Sequence, residues 1–432
     1  MKILVHGLNF SPELIGIGKY TGEMAAWFGQ RGHDVRVVTA PPYYPDWKVF
    51  DGHRNRWSRS TLPGADVRIY RCPVWVPERQ SGLKRLVHLL SFAASSTPVA
   101  LWQALSWRPD VVIGIEPALF AAPGSLLAAW VSGARAWLHV QDLEIDAAFE
   151  TGLLRGDRLR RIATAAERLL NRRFDRVSSI SNAMCDRLGS KGVDEARIRL
   201  VPNWIDAGTI YPLSSPSPMR RELAIPDAAT VALYAGNMAE KQGIGILADV
   251  ARRLAERPDI MFVFAGNGAA RSRLEAASAG LANVRFLPLQ PAERLNDLLN
   301  LADIHLLPQR RGVADLVLPS KVTNMMASGR PVVAGAAPDT QLGRIAARCG
   351  LVVEPEDAEA MAGAVAMLVG DAPMRAALGA AGRDIAVSEW SRDAVLGRFE
   401  TWLAEMAPAA RRMLRPEAAE AGAGQAARRS VG

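Results

Sequence analysis

Val231–Leu254 reads VALYAGNMAEKQGIGILADVARRL, and the order of its parts decides the fold. The apolar run Val231–Tyr234 suits a buried strand, Gly236 breaks it, and a helical pattern follows from about Gly243. A strand that feeds a helix through a glycine turn opens a parallel-sheet unit, because parallel strands need crossover connections. Further strand-type runs follow at Met261–Ala265, Val284–Leu287, Ile304–Leu307, Pro331–Ala334 and Leu351–Val353. The first half of the chain repeats the alternation. It opens with Lys2–His6, then a helix with Ile17, Tyr20, Met24, Trp27 and Phe28 at helical spacing, closed by Gly32. Val35–Thr39, Val111–Ile115, Ala136–Val140, Val177–Ile180 and Ile198–Val201 supply the other strands. The expected class is α/β with two Rossmann-like parallel-sheet domains, joined by a Pro- and Ser-rich linker at Tyr211–Asp227.

A chain of 432 residues, 49% of them hydrophobic, is too long for one ordinary core and suits two domains plus a tail. The expected divisions are 1–205, 206–387, a terminal helix at 388–406 with Trp390, Phe399 and Trp402 as anchors, and a disordered tail at 407–432. Cys72, Cys185 and Cys349 stand far apart without a Cys-x-x-Cys pair, which argues for a reducing compartment and against structural zinc. MKILVHGLNF lacks the long apolar region of a signal peptide and reads as a first strand. The net charge of +8 lies in residues 1–205, where 27 Lys and Arg face 19 Asp and Glu. No nucleic-acid motif accompanies that excess, so anionic lipid or a phosphorylated acceptor is the expected partner, beside an arginine-rich composition with no partner at all.

Leu86–Trp107 contains no Asp, Glu, Lys or Arg and is about as long as the ~20 residues that span a bilayer. Ser-Ser-Thr-Pro at its centre predicts two helices broken near Pro98. Lys84-Arg85 and Arg108 at its ends leave open a helix lying on a membrane surface.

Chemistry concentrates at strand ends. Gly236 lets backbone approach a ligand, the helix start beyond it offers unpaired N–H groups to an anion, and Lys241 adds a positive charge. Gly266 and Gly268 repeat the turn after the next strand, a weaker signal that close packing explains equally well. In LPSKVTNMMASGRPVVA, Ser320 is a good N-cap, and Lys321, Asn324 and Met325 follow before Gly329 ends the helix. A lysine in a first turn opposes the helix dipole, so Lys321 calls for an anionic partner. Two such helix starts in one domain fit a diphosphate. In the first half, Gly16 and Gly18 sit too far beyond the strand for a dinucleotide fingerprint and form a loop at the helix start. WLHVQDLEIDAAFE places His139, Gln141, Asp142 and Glu144 at a strand's C-terminal end, suited to sugar hydroxyls, general-base support or, less readily, a metal. Pro41–Trp47 (PPYYPDW) either stacks on a sugar ring or covers the domain edge.

The segments PELIGIGKYTGEMAAWFGQRGHDVRVVT, PNWID, GNMAEKQG, FAGNG and PSKVTNMMASGRPVVA, in that order over roughly residues 1–405, resemble the retaining GT-B glycosyltransferases. TAPPYYPDWKV and HVQDLEIDAAFETGLL are similar to the colanic acid and exopolysaccharide biosynthesis glycosyltransferases of the WcaI type. The resemblance implies two Rossmann-like domains facing across a cleft, acceptor-binding first and nucleotide-sugar-binding second, with the C-terminal helix crossing back. Lys241 matches the family lysine on the donor diphosphate, Asn237 stands where many members have an arginine, and Gly16 and Gly18 match an acceptor-side glycine loop. The positions of the family's two glutamates hold Leu316, beside Asp315, and Asn324. Asn324 can still reach a ribose hydroxyl; whether Asp315 replaces a sugar-contacting carboxylate stays open.

What the resemblance implies is transfer of a hexosyl group, with fucosyl from GDP-fucose as one candidate, to a polyprenyl-diphosphate-linked saccharide at the cytoplasmic membrane face. Retention, no metal and no cofactor beyond the nucleotide-sugar substrate go with it. Lys241 and Lys321 would serve the leaving diphosphate, Asp142 would orient a sugar, and Gly236, Asn237, Gly266, Gly268, Ser320, Asn324 and Asp315 would line the donor. His139, Gly16 and Gly18 would stand on the acceptor side. A sugar-nucleotide epimerase and a non-catalytic scaffold remain the alternatives.

Overall fold

The computed structural model describes residues 1–78, 81–117, 119–143, 156–311 and 320–407, and the chain divides into two compact units. The first comprises residues 1–179, 187–199 and the chain from Arg398 onward; the second comprises 180–186 and 200–397.

The first unit is built on an eight-stranded sheet: β1 (Lys2–Gly7), β2 (Asp34–Thr39), β3 (Ser58–Thr61), β4 (Val67–Arg71), β5 (Val111–Glu116), β6 (Arg135–Val140), β7 (Arg176–Ser179) and β8 (Ile198–Leu200). Their spatial order is β3-β4-β2-β1-β5-β6-β7-β8. The pairs β1–β2, β1–β5, β2–β4, β5–β6 and β6–β7 are parallel, and β3 runs antiparallel to β4. The inner strands are buried on both faces, which is why they read as continuous apolar runs. The sequence missed β3 and β4. All four residues of β3 are exposed, and Arg68 and Arg71 interrupt the apolar run of β4 (VRIYR), although only Arg68 is not fully buried.

Helix Gly16–Gln30 takes the chain from β1 to β2, in one direction along the sheet. Helices Gly82–Trp107 and Ala122–Ser132 carry it from β4 to β5 and from β5 to β6, in the other. Right-handed crossovers therefore place the latter two side by side on one face. Gly124 lies so close to Thr97 that a Cβ there would be 2.5 Å from its hydroxyl oxygen.

Gly82–Trp107 corrects the expected break at Pro98: it is one continuous helix with Pro98 inside. Proline removes one helical N–H. The buried stripe His88, Leu89, Phe92, Ser96, Ala100, Gln103, Ala104 and Trp107 continues past it at helical spacing, and that packing holds the helix together. Ser81 caps its start and Arg108, in the left-handed conformation, ends it. Among the described residues no single helix is long and apolar enough to cross a membrane.

The second unit carries six parallel strands, β9 (Thr230–Ala235), β10 (Ile260–Ala265), β11 (Val284–Leu287), β12 (Ile304–Leu307), β13 (Val332–Gly335) and β14 (Gly350–Val353), in the order β11-β10-β9-β12-β13-β14. Tyr211–Asp227 is no free linker. Leu213 N–H donates to Asn300 Oδ1 (2.9 Å), Ser217 Oγ to the Asp297 carbonyl (2.7 Å), and buried Arg220 reaches Asp303 and the carbonyls of Pro226 and Ala229.

The terminal helix expected at 388–406 starts at Arg392. Ser388–Trp390 end the preceding helix, Ala372–Trp390, and Ser391 is extended, its Oγ accepting from Ala394 N–H. The helix then leaves the second unit. Its Phe399 packs on Phe28 and Trp137 of the first, Trp402 stacks near Trp137 at 6.4 Å, and Leu403 is buried. The tail expected at 407–432 lies, from 408 onward, outside the described residues.

Candidate functional site

In both sheets the strand order turns back between two neighbouring strands, β1 and β5 in the first unit and β9 and β12 in the second. Their diverging crossovers leave a crevice at the carboxyl ends, where open α/β sheets bind ligands.

At the end of β9, Ala235 runs into Gly236, whose φ of +136° lies in a region that disfavours side chains. A Cβ on Gly236 would stand 2.5 Å from Lys321 Cε and 2.8 Å from its Nζ, so only glycine lets the lysine lie against the turn. The neighbouring turn after β10 is bound to it. Gly236 N–H donates to Ala265 O (2.9 Å), Met238 N–H to Asn267 O (2.8 Å), and Ala270 N–H to Met238 O (2.9 Å). Gly266 (φ +139°) and Gly268 (φ +154°) permit this approach, since a Cβ on either would overlap the carbonyl of Gly236 or Met238.

Lys321 rises from the first turn of helix Ser320–Ala327. Its ammonium donates to Tyr234 Oη (3.2 Å) and Gln242 Oε1 (3.1 Å) and lies 5.0 Å from the Tyr234 ring centre; Tyr234 Oη donates onward to Asn237 O (2.6 Å). Both hydrogen-bond partners are neutral, and burial lowers its pKa to about 8. Lys321, Asn324 and Met325 share one face of the helix and line a cavity of about 150 Å³ with Gly236, Gly266 and Gln290. Leu289, Leu295, Leu298 and Leu299 complete its apolar wall.

The helix expected from Gly243 is corrected. Glu240–Gln242 and Ile244–Ile246 are 3-10 turns separated by Gly243 at φ +66°, and the α-helix begins only at Leu247. Gly243 also abuts the Gln309 backbone, where a Cβ would come within 2.6 Å of the carbonyl carbon, so only glycine fits. Ser320 is the first helical residue of its segment. The side chains of Lys241 and Ser320, and Asp315 and Leu316 entirely, lie outside the described residues. Asn237 and Gly268 are exposed at the rim of the turns.

The crevice of the first unit holds a second cavity, of about 220 Å³, at the ends of β1 and β5. Leu8, Asn9, Gly16, Tyr44, Trp47, Arg85, His88, Pro117 and Asp142 are among its walls. Gly16 and Asp142, distant in sequence, are thus brought together, and the aromatic loop Pro41–Trp47 faces the cavity through Tyr44 and Trp47. Desolvation raises the Asp142 pKa, against Arg85 and the Leu143 N–H, and the residue is exposed at the cavity edge.

Gly18 and His139 do not reach this cavity. Gly18 is buried in the helix, where a Cβ would collide with the Glu13 carboxylate. His139 is buried beside Phe399, its Nδ1 2.9 Å from Ser178 Oγ, with its pKa lowered to about 4 by desolvation. Glu144 lies outside the described residues; among those described, no three His, Cys, Asp or Glu form a metal-holding group.

Two supporting residues escaped the sequence. Buried Glu13 accepts from the N–H groups of Tyr43 (3.0 Å) and Tyr44 (3.1 Å) through Oε1, and from Asn9 Nδ2 (3.0 Å) through Oε2, so it fixes the aromatic loop. Burial raises its pKa, while these hydrogen bonds and Arg71 oppose the rise. His88 has Nδ1 2.6 Å from Trp75 O, a donor role that leaves Nε2 to accept from Tyr43 Oη at 3.0 Å. The neutral ring positions the same loop, and burial lowers its pKa.

Two family descriptions match the chain: a glycosyl transferase 4-like domain over residues 16–204 and glycosyl transferases group 1 over 229–371. A putative colanic acid biosynthesis glycosyl transferase, WcaI, of Escherichia coli (strain K12) is 43% identical over 371 residues, covering 84% of this chain and 90% of the relative. A GDP-mannose-dependent monoacylated phosphatidylinositol monomannoside mannosyltransferase of Corynebacterium glutamicum is 27% identical, over 52% of this chain and 60% of its own. Among solved structures, sucrose-phosphate synthase of Thermosynechococcus elongatus superposes with a TM-score of 0.65 at 16% identity, covering 94% of this chain and 98% of the other. Anabaena HepE in complex with UDP gives 0.64 at 16% identity, covering 94% and 100%. These two structural likenesses speak for the fold.

Proposed function

The chain belongs to the GT-B glycosyltransferases, in the branch of colanic acid and exopolysaccharide biosynthesis, and on that premise we propose that it transfers a hexosyl group from a nucleotide-diphosphate sugar to a lipid-linked saccharide, with retention and without metal. The observation that carries this reading is Lys321: a partly buried ammonium with neutral partners, aimed at a glycine turn at the sheet's switch point.

A diphosphate placed between Gly236 and Lys321 would neutralise that charge. As the glycosidic bond breaks, negative charge grows on the leaving phosphate, where a preorganised cation is most effective. The apolar wall of Leu295, Leu298, Leu299 and Met325, with Gln290 at its edge, suits a flat nucleobase, and Asn324 a ribose hydroxyl. In the first unit, Tyr44 and Trp47 offer faces for an acceptor sugar and Asp142 a carboxylate for its hydroxyls. The leaving phosphate would then take the acceptor's proton, which is the arrangement that retention calls for.

Purified protein supplied with a panel of nucleotide sugars, GDP-fucose among them, and a polyprenyl-diphosphate-linked saccharide should release nucleoside diphosphate and form a product with the donor's anomeric configuration. Neither transfer nor hydrolysis with any donor would overturn the reading. Asn324 in place of a glutamate favours a second one, a nucleotide-binding subunit that has lost transfer. Calorimetric binding of nucleotide without turnover would identify it.

A further inference from the structure

The helix Gly82–Trp107 exposes Leu83, Lys84, Val87, Leu90, Ala94, Pro98, Trp102, Leu105 and Ser106. Beyond Lys84, its outer stripe carries no charge over the whole remaining length. The neighbouring helix repeats this with Pro123, Leu127 and Trp130, the last 79% exposed. Outer helices of a doubly wound sheet ordinarily face water with charged residues. Helix Asp157–Asn171 of the same unit exposes Arg158, Arg160, Arg161 and Arg168 beside Ile162 and Leu169.

The two apolar stripes lie on the same face of the sheet and so look outward together. On the other flank of the longer helix, Trp57 (63% exposed) and Trp75 line a shallow apolar groove with Ser91, Ala94 and Ser95. Trp57 Nε1 donates to Ser95 O, which fixes that tryptophan against the helix. The result is an apolar plate bearing the exposed Trp57, Trp75, Trp102 and Trp130, and exposed apolar patches of this kind mark interaction sites.

Its border identifies the occupant. Arg54, Arg56, Arg59 and Lys84 are exposed around the plate, and Arg59 lies over Tyr70, which in turn packs edge-on against Trp102. Neither helix contains an aspartate or glutamate. A second copy docked by twofold symmetry would set these cations against their own kind. Tryptophans among apolar residues with a cationic rim suit the headgroup boundary of an anionic bilayer.

We infer that this plate is a membrane-docking surface that lays both helices flat on anionic lipid. It deepens the lipid-linked acceptor reading, yet vesicles without donor or acceptor test it separately. The full chain should float with phosphatidylcholine vesicles containing phosphatidylglycerol, and less so at high salt or without the anionic lipid. Hydrogen exchange on the unaltered protein should then slow at 83–105 and 119–132 and not in the second unit. The variant Leu90→Ser/Trp102→Ser/Leu105→Ser/Trp130→Ser should bind such vesicles at least about tenfold more weakly while keeping its nucleotide-induced thermal shift. Failure of the unaltered chain to float, protection elsewhere, or unaltered flotation of the variant would each overturn the inference. So would dimerisation without lipid that the variant abolishes.

Discussion

Lys321 combines a cost to folding with a use in binding. Burial disfavours its charged form and lowers its pKa from 10.5 to about 8. Between these values the unfolded chain holds the proton that the folded chain has released, so stability from this group rises with pH through that window. Below about pH 8 the penalty is present in full. Lys321→Met should therefore stabilise the ligand-free protein at pH 7 by about 1–3 kcal/mol in denaturant titration. The charge that folding resists is the one a diphosphate needs. Nucleotide affinity of the unaltered protein should fall as pH rises past 8, by up to about tenfold per unit, and Lys321→Arg should flatten that dependence. Lys321 was legible because a lysine in a first helical turn asks for an anion. Tyr234 and Gln242, which hold it, were not, since a tyrosine within an apolar strand signals only core. Glu13 was equally silent: a single glutamate in a loop gives no sign that three donors converge on it.

Turns and helices differ in how far their sequences disclose them. Gly236, Gly266 and Gly268 stood out as ligand turns, and their geometry adds a second reason, the contact between two loops. Gly266→Ala places a side chain at φ +139° and against the Gly236 carbonyl, and should cost about 3 kcal/mol or more in equilibrium unfolding. Helix Gly82–Trp107 gave the opposite lesson. Proline is a local signal and predicted a break, whereas the buried stripe on both sides of it is a tertiary fact. Because Pro98 still withholds one N–H, Pro98→Ala should raise stability by about 1–3 kcal/mol, measurable by thermal melting. Gly243 misled in the same way: it looked like a helix start, but it is a left-handed residue between two 3-10 turns, packed against the Gln309 backbone.

Across the whole molecule, class and strand sequence were readable because strands buried on both faces are continuous apolar runs. The outer strands β3 and β4, and the attachment of Tyr211–Asp227 to the second unit, were not, since each depends on neighbours remote in sequence. Buried histidines set the acid limit of both units. His6, between Ser125 and Ser96, has its pKa lowered to about 4, as has His139, and His305 in the second unit to about 3. Desolvation is the first cause in each case. With folded values below the unfolded 6.5, each contributes stability that is complete above pH 6.5 and is lost as pH falls toward its folded value. The unfolding free energy from denaturant titration should accordingly drop steeply from pH 6.5 to 4, by up to roughly 3 kcal/mol per histidine. His6→Gln should soften that slope.

Nucleoside diphosphate binding by calorimetry at pH 7, compared between the unaltered chain and Lys321→Met, tests the diphosphate site most directly. The site described here predicts measurable binding that the substitution weakens about a hundredfold or more, in a protein at least as stable as the original. Equal affinity in the two proteins would contradict it.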